Sequence, residues 1–449
     1  MAHFAIEDPQ RRLGQLRDSV EAILTESARQ GATAAEAAVS TRAGLEVAVR
    51  LGEVETIEHT RDNGLGVTVY FGHRKGSAST SDLSPAALRE AVAAACAIAR
   101  YTEEDPYAAL ADAERMARTV PDLDLYHPWS ITPEDAVALA IACEDAARTH
   151  DPRITNSEGA SLSSHWGIQV YGNSHGFIGG YPTTRHGLSC AVIGETGGNM
   201  QRDYWWSTAR APEDLEQAAQ VGRRAAEKTL ARLGARPIAT RQAPVLFQAE
   251  VAAGLLRQLI GAIQGSSLYR RASFLVDQLG EAIFPSFVHI HERPLLPRGL
   301  ASAPFDGDGV ATADKDLIRD GILQSYVLDS YAARKLGMET TGNAGGVRNL
   351  AIDMGELDRP ALLREMGTGL LVTELMGHGV NLVTGDYSRG AAGLWIEGGE
   401  VKHPVEEITI AGNLKEMFAG VVAVGNDCDF SGSTRTGSWL IDNMTIAGT

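Results

Sequence analysis

The sequence predicts an α+β fold: an N-terminal α/β unit, a β-rich middle unit and a C-terminal curled antiparallel β-domain that forms a partial barrel. Three features predict it. Apolar residues recur every three to four positions in a few separated stretches. Between these lie runs that alternate apolar with polar residues. From residue 245 onward, short apolar runs are punctuated by glycine, as in strands that fold back on one another.

Taken in order, Leu13, Leu16, Val20, Ile23 and Leu24 fall on one face of a helix over 9–30. Four alternating runs follow, AAEAAV, LEVAVRL, VETIEHT and GVTVYFG, which read as strands of a half-buried sheet. A helix is expected from Pro85 to about Tyr101, with Ser84 as N-cap and Pro85 in the first helical position. Residues 104–130, rich in Asp and Pro, read as a linker, and a helix is expected after Thr132. Residues 154–206 read as strands, 212–233 as a polar helix, VLFQ (245–248) as a strand and EVAAGLLRQLIGAI (250–263) as a buried helix. FVHIHER, ILQSYVLD, GVNLVTGDYS, GLWIEGGEVKH and EEITIAG read as strands, with Gly398–Gly399 as a tight hairpin turn. The expected units are 1–110, 111–236 and 237–449.

The chain has 449 residues, enough for two or three domains, and a formal net charge of −17. A field of that sign repels phosphate backbones, so nucleic acid is not an expected partner. No run approaches the ~18 apolar residues of a membrane span, and the start, MAHFAIEDPQRRLGQLRDSV, does not read as a secretory signal. The four cysteines are far apart and form no CxxC pair, which fits a reducing compartment; the expected location is the cytoplasm.

Several motifs bear on chemistry. GNAGG (342–346) and GTG (367–369) lack the spacing of a phosphate-binding loop. His289 and His291 lie two apart on a presumed strand and are followed by Glu292, a set that suits zinc in a self-sufficient metallopeptidase, or a pair of polar residues on a solvated face. Asp306 and Asp308 in PFDGDG read as a turn, because the glutamate of a calcium loop is missing. Cys428 has no assigned histidine partner. Asp386, Tyr387, Ser388, Arg389 and Gly390 sit among small residues beside an extended run, as in a groove where a peptide backbone adds as a strand, and equally as in a tightly packed β-domain.

RKGSASTSDLS (74–84), RITNSEG (153–159), GNSHG (172–176), SAPFDGDGV (302–310), MGTGLLVTELMGHGVNLVTGDYSRGAAGLWIEGGEV (366–401) and EITIAGNL (407–414) together resemble the PmbA/TldE branch of the TldD/PmbA peptidase family, over nearly the whole chain. The resemblance implies a pair of related chains. The TldD-like chain carries His-Glu-x-x-x-His on a helix, with zinc on the histidines and the glutamate as general base. That motif falls on LLRQLIGA (255–262): Arg257 and Gln258 stand for the first His and the Glu, and Ala262 for the second His. Arginine does not ligate zinc, glutamine takes no proton and alanine offers nothing. The implied chain is a subunit with no catalytic residue, no metal and no cofactor of its own, zinc being held by the TldD-like partner. The implied substrate is a peptide, including leader segments trimmed from small ribosomally made peptides in bacteria. A third, thiolate ligand is implied near Cys428 in TldD-like chains, without force once the histidines are gone. A non-enzymatic, peptide-binding homodimer is the remaining alternative.

Overall fold

The computed structural model describes residues 8–448; the opening MAHFAIE, on which part of the leader reading rests, lies outside them. The chain begins with α1 (Pro9–Arg29), capped by the Asp8 side chain. It continues through β1 (Ala34–Arg50), β2 (Glu53–Phe71), β3 (Arg74–Thr80) and α2 (Pro85–Tyr101). The four alternating runs are thus two strands of 17 and 19 residues. Next come α3 (Pro133–Arg148), β4 (Ile154–Asn173), β5 (Ile178–Thr196), β6 (Asn199–Ala209) and α4 (Ala218–Ala231). Helix starts follow their local signals: Ser84 accepts from Ala87 N at 3.3 Å and Thr132 from Asp135 N at 3.1 Å, each with proline just inside.

These strands form one antiparallel sheet, in the order β3-β2-β1-β4-β5-β6. Its centre is the β1–β4 pair, so the first and second stretches of the chain share a single sheet. One face is buried throughout. Ala35, Ala37 and Val39 pack under α1 and α2, and Leu45, Val47 and Val49, on the same side of β1, pack under α3 and α4. The other face carries Ser40, Arg42, Gly44 and Glu46 on β1 and Ser161, Ser163, His165, Gly167 and Gln169 on β4, outside both of those helix-covered cores.

The α3–α4 contact depends on Gly222. A Cβ there would lie 2.0 Å from the Cys143 carbonyl oxygen and 3.1 Å from Ala147 N. Alanine has the better helix propensity, by about 1 kcal/mol, but overpacking costs about 1–3 kcal/mol. Gly222→Ala is therefore expected to lower the urea midpoint. An unchanged or raised midpoint would mean the helices can move apart freely.

The C-terminal region opens with β7 (Arg241–Phe247), α5 (Ala249–Ile263) and α6 (Gly265–Tyr269). A long excursion holds β8 (Ile290–Glu292), β9 (Lys315–Arg319), β10 (Ile322–Leu323), α7 (Ser330–Leu336), β11 (Leu350–Ile352) and α8 (Arg359–Met366). Then follow β12 (Gly369–Met376), β13 (Asp386–Glu397), β14 (Glu400–Asn413), α9 (Leu414–Ala419), β15 (Val421–Val424), β16 (Thr434–Arg435) and β17 (Trp439–Ala447). Strands β14-β13-β12-β7-β17 close into a five-stranded barrel through the β14–β17 pairing, with β15 alongside β17. The barrel differs from an all-antiparallel one at β7–β12, which run parallel. Parallel neighbours need a crossover, and the excursion from α5 to α8 supplies it. Both faces of β7 are buried: Val245 and Phe247 join the main core with α5, and Leu246 packs under Leu362 and Met366 of α8. That is why VLF is a continuous apolar run.

Two expected strands are not strands. Only Ile322–Leu323 of ILQSYVLD forms a strand, with Val327 making a single bridge to Gln264, and Asp329 instead caps α7, accepting from Ala332 N at 2.6 Å. Residues 379–385 form a loop, in which Asn381 Oδ1 accepts from Val383 N at 2.9 Å and Gly385 holds φ +86°. The expected hairpin is present, with Gly398 and Gly399 at φ 62° and 78°, as a two-residue turn between twisted strands requires. Among the described residues no helix is long and apolar enough to cross a membrane.

Candidate functional site

Helix α5 carries Arg257, Gln258 and Ala262, the positions on which the resemblance lays the zinc motif. Arg257 is exposed, Gln258 is half-buried, and Ala262 is fully buried in the core shared with the barrel. Positions five apart on a helix are rotated by about 140°, so Arg257 and Ala262 do not address a common point. The helix ends at Ile263; the Ala262 carbonyl accepts a hydrogen bond from Ser273 Oγ at 2.6 Å, and Gly265 N donates to Val327 O. This donor set does not fit a metal: a guanidinium repels a cation, and neither the amide of Gln258 nor the methyl of Ala262 replaces an imidazole. Among the described residues no group of three His, Cys, Asp or Glu side chains is placed to hold a metal ion.

Gly261 brings a second element to this helix. A Cβ there would lie 3.1 Å from Leu382 Cδ1, so the glycine lets the 377–385 loop close on α5. That loop leads into Asp386–Gly390, and the two sequence-derived features thus meet. Asp386 accepts from Thr384 Oγ1 at 2.6 Å and from Asn413 Nδ2 at 3.3 Å. Tyr387 is 2% exposed, and burial pushes its phenol up to about 12 against the opposing pull of Arg389. The strand edge is not open here. β14 pairs along one side, while Ser388 N donates to Gly379 O at 2.7 Å and Gly390 pairs with Met376 on the other. A peptide cannot add as a strand at 386–390 while the loop is in place, because both rows of backbone groups are taken. The side chains of Asp386 and Ser388 remain exposed.

The structure does not bring His289, His291 and Glu292 together. His289 lies just outside β8, with Nε2 3.5 Å from Asp320; His291 turns to Asp353, with Nδ1 at 3.4 Å. Those acids follow β9 and β11, the strands on opposite sides of β8. Burial lowers the His291 pKa, with Arg293 adding to the effect. Glu292 points to the other face and is fully buried, accepting from Asn343 Nδ2 at 2.9 and 3.0 Å and from Arg348 N at 2.6 Å, with Lys315 Nζ at 3.4 Å. Its partners make it a structural carboxylate.

Asp306 forms the expected turn, its Oδ1 accepting from the N–H groups of Asp308 and Val310 and its Oδ2 from Ala344 N. Burial, with Asp308 beside it, pushes its pKa up from 3.8 to about 6. Between those values the folded chain holds a proton that the unfolded chain has released. The group's contribution to stability therefore falls as pH rises through that window and disfavours the fold above about pH 6. A carbon-detected titration of Asp306 is expected to show a midpoint near 6, and a midpoint at or below 4 would contradict this.

Cys428 is a half-buried free thiol. Its loop is held against the middle of the chain, where Trp206 Nε1 donates to Ser431 O at 3.2 Å and Arg224 Nη1 to Asp429 O at 3.2 Å. Sequence reasoning missed the open face of the six-stranded sheet. Its signal is the period-two series Ser161, Ser163, His165, Gly167, Gln169, which alternates with the buried Leu162, Ile168 and Val170.

Three models of one family match the chain: the PmbA/TldA metallopeptidase domain 1 over 35–99, the central domain over 126–233 and the C-terminal domain over 240–448. The chain belongs to the PmbA/TldD metallopeptidase family. It is 52% identical over 414 residues to the metalloprotease PmbA of Escherichia coli O157:H7, covering 92% of each chain. It is 47% identical over 437 residues to the PmbA homolog of Haemophilus influenzae, covering 97% of this chain and 96% of that one. The fold matches the crystal structure of TldE from Thermococcus kodakarensis with a TM-score of 0.84 at 22% identity, over 96% of this chain and 100% of that one.

Proposed function

We propose that this chain is the PmbA/TldE-type subunit of a TldD/TldE-like zinc peptidase in the bacterial cytoplasm. It holds no metal and cleaves nothing alone, and with its TldD-like partner it encloses the active centre and helps hold an extended peptide. The observation that carries this reading is the state of α5: the fold around the motif is intact, while Arg257 is exposed, Gln258 is an amide and Ala262 is a buried methyl. On this reading Asp386 and Ser388 belong to the wall of the peptide channel through their side chains, and the open sheet face forms its floor. The sheet shared by 1–110 and 111–236 makes that floor one rigid piece.

The test is to mix the purified chain with its TldD-like counterpart and measure mass by light scattering. A species containing both chains is expected. Two unmixed species, with the present chain a stable dimer of itself, would favour the peptide-binding homodimer instead.

A further inference from the structure

A cavity of about 260 Å³ lies where the open sheet face meets the C-terminal region, between β1, β4 and β5 on one side and residues 300–303 on the other. That is just below the ~300 Å³ at which pockets begin to enclose drug-sized ligands, and it suits the end of a chain. Its charged lining consists of three arginines, Arg42, Arg210 and Arg348, and no acid, in a chain whose net charge is −17. Gln169, Tyr181 and Thr183 add polar groups.

Among the described residues no carboxylate pairs with these three side chains. Arg210 donates to the carbonyl oxygens of Thr184 (2.8 Å), Leu300 (2.7 Å) and Gly299 (3.3 Å). Arg348 donates to those of Gly346 (3.1 Å) and Ala344 (3.2 Å). Carbonyl oxygens fix the guanidinium planes and leave their charge in place. The buried carboxylate nearest in the hydrogen-bond network, Glu292, accepts from the Arg348 backbone N–H and is paired with Lys315. Arg42 stands across β1–β2 from Asp62, with which it forms no ion pair among the described residues, and its stem lies over Gly167, where a Cβ would come within 3.2 Å of Arg42 Cγ. Neither the Arg42 guanidinium nor the Tyr181 hydroxyl has a hydrogen-bond partner among the described residues. Fixed positive charge with free donors in a cleft favours an anion, and a planar guanidinium matches a carboxylate in particular.

We infer that this cavity binds the free α-carboxylate of a peptide, with Arg42 as the direct ligand and Arg210 and Arg348 as fixed charges behind it. This rests on the peptide-binding reading above and adds a direction to it: the substrate's C-terminus is anchored over the central strands of the sheet.

The experiment uses the full chain mixed with its TldD-like partner, with the metal chelated to stop cleavage. It measures by fluorescence anisotropy the affinity of one N-terminally labelled peptide as the free acid and as the C-terminal amide. The acid is expected to bind about tenfold more tightly or better, as loss of a charged hydrogen bond implies. In Arg42→Gln, whose side chain is exposed so that folding is not at stake, the two forms should bind within about twofold of each other; Arg42→Lys should recover part of the difference. Equal binding of acid and amide by the unsubstituted complex would overturn the inference while leaving the peptide reading intact, as would a difference that survives Arg42→Gln. An amide carrying a final glutamate that binds as well as the acid would overturn the α-carboxylate assignment. Failure of every peptide to bind would overturn the peptide reading and this inference with it.

Discussion

Glu292→Ala is expected to destabilise the chain by about 3–5 kcal/mol, a large share of the ~5–15 kcal/mol that separates folded from unfolded states in most domains. The carboxylate is fully buried and satisfies Asn343 Nδ2, Arg348 N and Lys315 Nζ. Removing it leaves the Lys315 charge, whose side chain is only 16% exposed, facing an apolar gap. Lys315 keeps hydrogen bonds to Asn343 Oδ1 at 2.9 Å and to the Thr341 carbonyl, so the loss is partial. Glu292→Gln keeps an acceptor for Arg348 N and should cost less than alanine. Adding Lys315→Met to Glu292→Gln should recover stability, because the unpaired charge is then gone. Urea midpoints of the three variants check the order. A Glu292→Ala protein as stable as the unsubstituted chain would show that this carboxylate does not organise the 292–348 region, and would reopen a chemical role for it.

The second large effect is on activity. The chain alone is expected to show no peptide cleavage above background, and the mixture with its TldD-like partner to cleave at a rate about a thousandfold higher or more, the scale on which a metal-activated water exceeds uncatalysed attack. Within that mixture, Arg257→Ala and Gln258→Ala are expected to leave the rate within about threefold, because neither group can bind zinc or accept a proton. A loss of a hundredfold or more from Gln258→Ala would assign this helix a part in the chemistry.

Helices were legible where a cap and a long apolar face coincided, as at Ser84 with Pro85 and at Thr132 with Pro133, but the short α7 and α8, capped by Asp329 and Asp358, were not read. The Gly398–Gly399 hairpin was legible because two successive positive φ angles nearly demand glycine. β1 was read as two pieces because its middle, Ser40–Gly44, puts only Thr41 and the small Ala43 on the buried side and so lacks the apolar alternation of its ends. The 379–385 loop looked like a strand because Val380 and Leu382 pack against the core, while their backbone closes on Asn381 and Gly385. The parallel β7–β12 pair is invisible to local pattern, since it depends on a crossover of more than a hundred residues. The same holds for the arginine cavity: Arg42, Arg210 and Arg348 come from three regions that meet only in the folded chain. By contrast, the zinc motif is laid on Arg257, Gln258 and Ala262 by the resemblance of the sequence alone, and the fold adds only that they lie on α5.

The central claim is that this polypeptide supplies no metal centre. The most direct measurement is the metal content of the purified chain after equilibration with zinc and removal of excess, with peptide cleavage assayed on the same sample. The account predicts no stoichiometric zinc and no cleavage. About one zinc per chain, with cleavage that stops on chelation and returns on readdition, would contradict it.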